Sequence, residues 1–171
     1  RTYSSTFREP GSRGAEKRSA LPFLGGEVMG AKVRITKRSD LSRINEVIHD
    51  YWFDLDDVTF DEATSMLEIR FSRPSVKTDA PASGWSLLRR VEVPYVESFL
   101  RIHHVRAWAL EDTERIGSYD FNELRFDEGK QRIQITTGVP LNLSADIERM
   151  EVSVLVTDNV VKTEKRLAFF A

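Results

Sequence analysis

Residues 49–62, HDYWFDLDDVTFDE, hold six carboxylates, one histidine and four aromatic rings in fourteen positions. His49, Asp54, Asp56 and Asp57 together offer one imidazole nitrogen and several carboxylate oxygens, a donor set suited to a zinc or manganese ion. The spacing does not fit a calcium loop, which needs alternating acidic ligands ahead of a glycine at its sharp turn. His103 and His104 are the other histidines. As neighbours in an extended strand they would face opposite ways, so a zinc site would need His49 to meet one of them in space. Acid–base catalysis would fall to His49 or Asp54, with Glu111 or Asp112 as a second carboxylate. With 27 acidic residues in the chain, some such pair is expected by chance.

Other chemistries have less to work with. Cysteine is absent, which removes thiol nucleophiles, thiolate metal sites and disulfides. There is no Gly-x-Ser-x-Gly elbow, no P-loop and no Gly-x-Gly-x-x-Gly, and Ser83-Gly84 sits in an ordinary loop sequence. No cofactor is expected. "WSLLRR" and "RIHHVRAW" set Trp85 and Trp108 beside arginines, as single-stranded nucleic-acid binders do. Acidic residues interrupt both neighbourhoods, and 25 basic against 27 acidic residues give a net charge of −2. Nucleic acid is therefore not expected as a partner; Trp108 reads as core, and Arg101 and Arg106 as a solvated strand face. No apolar run approaches the roughly 20 residues of a membrane-spanning helix, so no membrane contact is expected.

The elements around the acidic stretch follow from periodicity. Lys32 to Thr36 alternates as a strand does. Leu41, Ile44, Ile48, Tyr51 and Trp52 then fall on one face at helical spacing, predicting an amphipathic helix over about 40–52 with Ser39 or Asp40 as its cap. Val58 and Phe60 alternate, then Leu67, Ile69 and Phe71, with polar residues between, which is a β-hairpin pattern. Residues 73–88 read as a loop, and Pro94 marks 89–97 as an edge strand. A strand through Val105, Ala107 and Ala109 and a second hairpin over 119–138, with Gly129 in its turn, follow. Leu141, Leu143, Ala145 and Ile147 share one parity while Met150, Val152, Val154 and Val156 share the other, so a turn or bulge must fall near Glu148 and Arg149. A last strand is expected over 159–170. The class is α+β, mainly antiparallel β-sheet with a single helix.

Shifted by 66 residues, 53–74 lies on 119–140 without a gap. Asp54/Asp120, Phe60/Phe126, Asp61/Asp127, Glu62/Glu128, Ile69/Ile135 and Pro74/Pro140 are identical pairs, and the flanking apolar positions keep their character. Two similar hairpins in one domain are expected. Asp61 and Asp127 then have a turn-forming role, and Asp54 and Asp120 an anchoring one, so the acidic stretch reads chiefly as a seam between helix and strand.

Residues 1–28 lack hydrophobic periodicity and carry Arg1, Arg8, Arg13, Lys17 and Arg18 among Ser, Gly and Pro. They are expected to be a disordered tail or a translated leader. Gly-Gly-Glu, just before Met29, can be encoded by a bacterial ribosome-binding sequence, which would make Met29 a start. Residues 29–171 are expected to form a single domain with 20 basic and 24 acidic residues, a charge of −4. The expected function is that of a cytoplasmic bacterial protein acting without catalysis, through a protein partner or as a homo-oligomer. A metal-binding or acid–base enzyme centred on His49 and Asp54, Asp56 and Asp57 is the alternative.

Overall fold

The computed structural model describes residues 2–4, 32–75 and 88–169. Eleven strands and one α-helix are present among them: β1 (Thr2–Ser4), β2 (Lys32–Ile35), α1 (Leu41–Ile48), β3 (Trp52–Asp54), β4 (Val58–Asp61), β5 (Met66–Pro74), β6 (Leu88–Ile102), β7 (Val105–Glu111), β8 (Ser118–Asp127), β9 (Arg132–Thr137), β10 (Asn142–Ile147) and β11 (Val152–Phe169). They form two antiparallel sheets, ordered β1-β7-β10-β9-β8-β3 and β2-β11-β6-β5-β4. This is the α+β, mainly β class read from the sequence. Ile69, Phe71, Leu100 and Val154 from one sheet, Phe121, Ile133, Leu143 and Ile147 from the other, and Ile44 and Ile48 from α1 fill one buried core. Thr2–Ser4 pair with β7 at a sheet edge; the rest of 1–28 lies outside the described residues, as do Ser83, Gly84 and Trp85.

The helix is shorter than its apolar spacing predicts. It ends at Ile48, because Asp50 turns left-handed (φ 65°) and the chain joins β8: Asp50 N–H donates to Phe121 O, and Phe121 N–H donates to Tyr51 O, both at 2.9 Å. Sheet pairing here overrides helical continuation, so Trp52 moves to β3 and is 57% exposed. Neither Ser39 nor Asp40 caps α1 through its side chain; a 3-10 turn at Arg38–Asp40 leads into it.

Strand β6 is central, between β11 and β5, not an edge. Pro94 is tolerated because β5 ends beside it: the last β5 pair is Pro74 with Tyr95, and Ser75 N–H donates to Pro94 O at 2.8 Å. In the hairpin turns the left-handed residues are Ser65 (φ 52°) and Gln131 (φ 50°), rather than Gly129. The parity change after Ile147 is the passage of the chain from one sheet to the other, and the expected last strand is the continuation of β11.

Pairing registers in the two sheets correspond. Val58 faces Ile69 and Phe60 faces Leu67, as Leu124 faces Ile135 and Phe126 faces Ile133, at the 66-residue offset. Leu67 then faces Ile102 as Ile133 faces Ala145, and Leu100 faces Val154 as Leu143 faces Leu110. Val33 lies on Val154 as Tyr3 lies on Leu110. Where β3 meets β8, Trp52 pairs with Asp120, Phe53 with Tyr119 and Asp54 with Ser118, so the paired residues exchange places across Phe53 and Tyr119. The pairing scheme therefore has approximate two-fold symmetry about that pair.

Candidate functional site

The four side chains singled out for metal or acid–base work diverge. His49 follows the last turn of α1, half exposed, with Nδ1 3.0 Å from Asp50 Oδ1. Asp54 and Asp57 line a cleft of about 460 Å³ that also contains Trp52, Arg70, Glu97 and Val161. Asp56 lines a different cleft, described below. Asp57 is held by Arg70, whose Nε and Nη2 lie 3.0 and 2.5 Å from its Oδ1; Glu97 is 3.7 Å from the same guanidinium. The hydrogen bond and charge of Asp57 raise the Arg70 pKa further, so this cation stays charged and the acid beside it stays matched. Among the described residues no three His, Asp or Glu side chains come together as a metal-ligand group.

Asp61 and Asp127 do what a turn requires, and Asp120 anchors a backbone amide, whereas Asp54 lines the first cleft instead. Asp61 accepts the Ala63 N–H at 2.9 Å and the Thr64 hydroxyl at 2.7 Å, and the Thr64 bond leads the causes that lower its pKa. Asp127 accepts the Lys130 N–H at 3.2 Å. Asp120 accepts the Gly138 N–H at 3.2 Å. Asp112, the other partner considered for Asp54, instead binds the Tyr119 hydroxyl and the Arg115 N–H. The Tyr119 bond leads the lowering of the Asp112 pKa, while burial and then Asp112 raise that of Tyr119.

The two adjacent histidines are not in a strand and do not face opposite ways. They lie where the chain leaves β6 for β7 in the other sheet, and His104 is left-handed (φ 57°). Both rings turn to Glu151: His104 Nε2 is 3.2 Å from Oε2, and His103 Nε2 is 4.0 Å from Oε1. Arg34 reaches the same carboxylate at 2.9 Å, and His103 Nε2 is 3.1 Å from the Ser153 hydroxyl. Burial pushes the His103 pKa down, against the pull of Glu151. Burial also pushes Glu151 up, but the bonds from His104 and Arg34 outweigh it and its pKa falls. With Arg34 supplying the positive charge, this cluster is organised as an ion-paired clasp. The two passages between sheets are joined there by backbone as well: His103 N–H donates to Glu151 O at 3.0 Å, and Glu148 N–H to His104 O at 2.9 Å. Sequence periodicity gave no sign of the cluster, because it depends on one left-handed residue.

Two surface features were also missed. Trp52 is 57% exposed, with Val161 (49%) on the same cleft and Val160 (52%) next to it in the chain. The second cleft, about 860 Å³, is lined by Leu55, Asp56, Val58, Trp108, Leu110 and Arg115, among others. Trp108 was read as core and is half-buried, tilted against Phe60 at a ring separation of 6.3 Å. Arg101, read as solvated, is partly buried and bound to Glu68 at 2.6 Å.

The sequence matches no family model, no curated protein and no solved structure. No helix among the described residues is long and apolar enough to cross a membrane.

Proposed function

We propose that this is a non-catalytic protein-binding domain, bacterial and cytoplasmic, whose contact surface is centred on Trp52. The exposed indole carries the reading. A monomeric surface seldom leaves a tryptophan more than half exposed on a cleft shared with an exposed valine, Val161, and tryptophan is the side chain that most often anchors a protein interface. Several of the charges around it are already paired: Arg70 lies between Asp57 and Glu97, and Lys162 pairs with Glu164 at 2.9 Å. Such a setting gives a partner a polar rim around an apolar centre. Descent from a duplicated hairpin-containing unit is part of the same proposal, supported by the shared 66-residue offset in sequence and in pairing register.

A photo-crosslinking phenylalanine analogue placed at position 52 in the native host tests the reading. Covalent adducts with another protein, or with a second copy of this chain, are expected at position 52 and not at Lys130 in the opposite hairpin turn. Equal, absent or diffuse labelling at the two positions would remove Trp52 as a contact centre.

A further inference from the structure

The clasp of His103, His104 and Glu151 lies where the two passages between the sheets meet, and every element packed there sends a group to it. Register sets Arg34 of β2, Ser153 of β11, Arg101 of β6 and Glu68 of β5 in one row across four strands. The His103 ring lies against that row, with Nε2 3.1 Å from the hydroxyl of Ser153, which is 1% exposed. The charges are matched pair by pair. Arg101 lies 2.6 Å from Glu68, and Arg34 lies 2.9 Å from Glu151, which also bonds His104. Among the neighbouring charges, Glu62, Arg106, Glu148 and Arg149 are exposed, and Asp146 is taken by Arg132. Two carboxylates against two guanidiniums leave no acid for a further cation. A proton on His103 would therefore place an unmatched charge beside Arg34, Arg101 and His104.

The same residues hold the backbone joint. His103 N–H donates to Glu151 O, Glu148 N–H donates to His104 O, and Val105 N–H donates to Ser65 O in the turn between β4 and β5. His104 is left-handed (φ 57°), a conformation that an L-residue adopts at a cost recovered when the joint opens. We propose that the clasp is an acid-sensitive latch: a proton taken up by His103 opens the joint between the two passages while the rest of both sheets stays paired. Opening carries the ring to water, away from Arg34 and Arg101. It also loosens the end of the core where the buried Ile102, Val105, Ile147 and Val152 flank the joint. Burial, with these cations, holds the His103 pKa below the ordinary 6.5, so the closed latch excludes a proton that the open latch accepts. Between the two values, each unit of falling pH favours opening by up to about tenfold.

Native-state amide exchange on the full-length protein tests the latch, with rates corrected for the intrinsic pH dependence of exchange. From pH 7.5 to pH 5, protection of the His103 and Glu148 N–H groups should fall about threefold or more. Amides paired between β8 and β9 should keep theirs. The fall should begin near pH 6.5 and continue to the pH at which the His103 ring itself titrates, read from its Cε1–H resonance. His103→Gln should hold both amides at their pH 7.5 protection; if that variant does not fold, wild-type exchange and ring titration carry the test by themselves. A parallel loss across β8 and β9 would make the transition global and overturn the latch. A ring that titrates while both amides stay protected would show that the imidazole swings out alone, and constant protection with no titration would show that nothing opens. Either result overturns the latch, as does a loss of protection that persists in His103→Gln.

Discussion

His103 shows how one side chain ties the stability of the fold to pH. Its pKa is depressed chiefly by burial, so the folded protein prefers the neutral ring, while the unfolded chain takes up a proton near the ordinary value of 6.5. Between the folded and unfolded values the unfolded state holds more protons, and stability rises with pH across that window. Urea midpoints should therefore fall as pH is lowered from 7 through 6 and below, and His103→Gln should flatten that part of the profile. An unchanged profile in the variant would show that other groups set the dependence. Asp120 and Gly138 offer a second measurement. A Cβ at position 138 would lie 2.7 and 2.8 Å from the Asp120 oxygens, so Gly138→Ala forces the carboxylate aside and breaks its bond to the Gly138 N–H. A loss of about 1 kcal/mol is expected, the scale of one hydrogen bond. Because the strain vanishes with the carboxylate, Asp120→Ala with Gly138→Ala should cost no more than Asp120→Ala alone in urea unfolding. At this scale the turn roles of Asp61 and Asp127 were legible, since an aspartate at the start of a tight turn has a local reason to be there. The histidine clasp was not, because it depends on the left-handed backbone of His104 and on Arg34 and Glu151, both distant in sequence.

Among the elements, α1 is held less by its own propensity than by what it covers. At eight residues it is too short to be stable alone. Its apolar face is buried, and Asn45 reaches the edge of β8, donating to Leu124 O at 3.3 Å and accepting from Leu124 N–H at 2.8 Å. Leu124 is buried, so removing the amide leaves two shielded backbone groups unpaired. Asn45→Ala should cost about 1–3 kcal/mol on that account, offset by up to about 0.7 kcal/mol from the better helix propensity of alanine. Chemical denaturation measures the net loss; a stabilised variant would mean that water satisfies Leu124 as well as Asn45 does. The helix was legible from Leu41, Ile44 and Ile48, but its end was not. Tyr51 and Trp52 continue the helical spacing, and only the pairing of Asp50 and Tyr51 with Phe121, some seventy positions away, stops it. The rank of β6 was hidden in the same way. A proline reads as an edge signal unless the neighbouring strand is known to end beside it.

Over the whole molecule, the two halves are interleaved rather than placed side by side. β7, which follows β6 of the other sheet in the chain, lies between β1 and β10 in the sheet built by β8, β9 and β10, and β11, from the C-terminal end, lies between β2 and β6 in the other. The 66-residue offset was legible because no insertion separates the strands of either hairpin. Beyond Pro74 and Pro140 the correspondence was unreadable: Ile102 matches Ala145 at an offset of 43, since a long connection precedes β6 where only residues 138–141 separate β9 from β10. Interleaving has a thermodynamic consequence. Neither half can complete a sheet alone, because removing β11 strips β6 and β2 of a shared neighbour, and removing β7 does the same to β1 and β10. The symmetry centre binds the halves further, with Phe53 stacked on Phe121 at 4.5 Å and Phe121 edge-on to Phe71 at 5.4 Å. Phe53→Ala should therefore cost about 3–5 kcal/mol, as truncation of a buried aromatic does. The loss should appear as a lower midpoint of one cooperative transition, with calorimetric and van't Hoff enthalpies in agreement. Fragments 29–112 and 113–171 should each lack dispersed amide resonances alone and regain them when mixed. A fragment that folds by itself, or two resolved transitions in the intact chain, would show that each half closes its own core and that the shared strands contribute little.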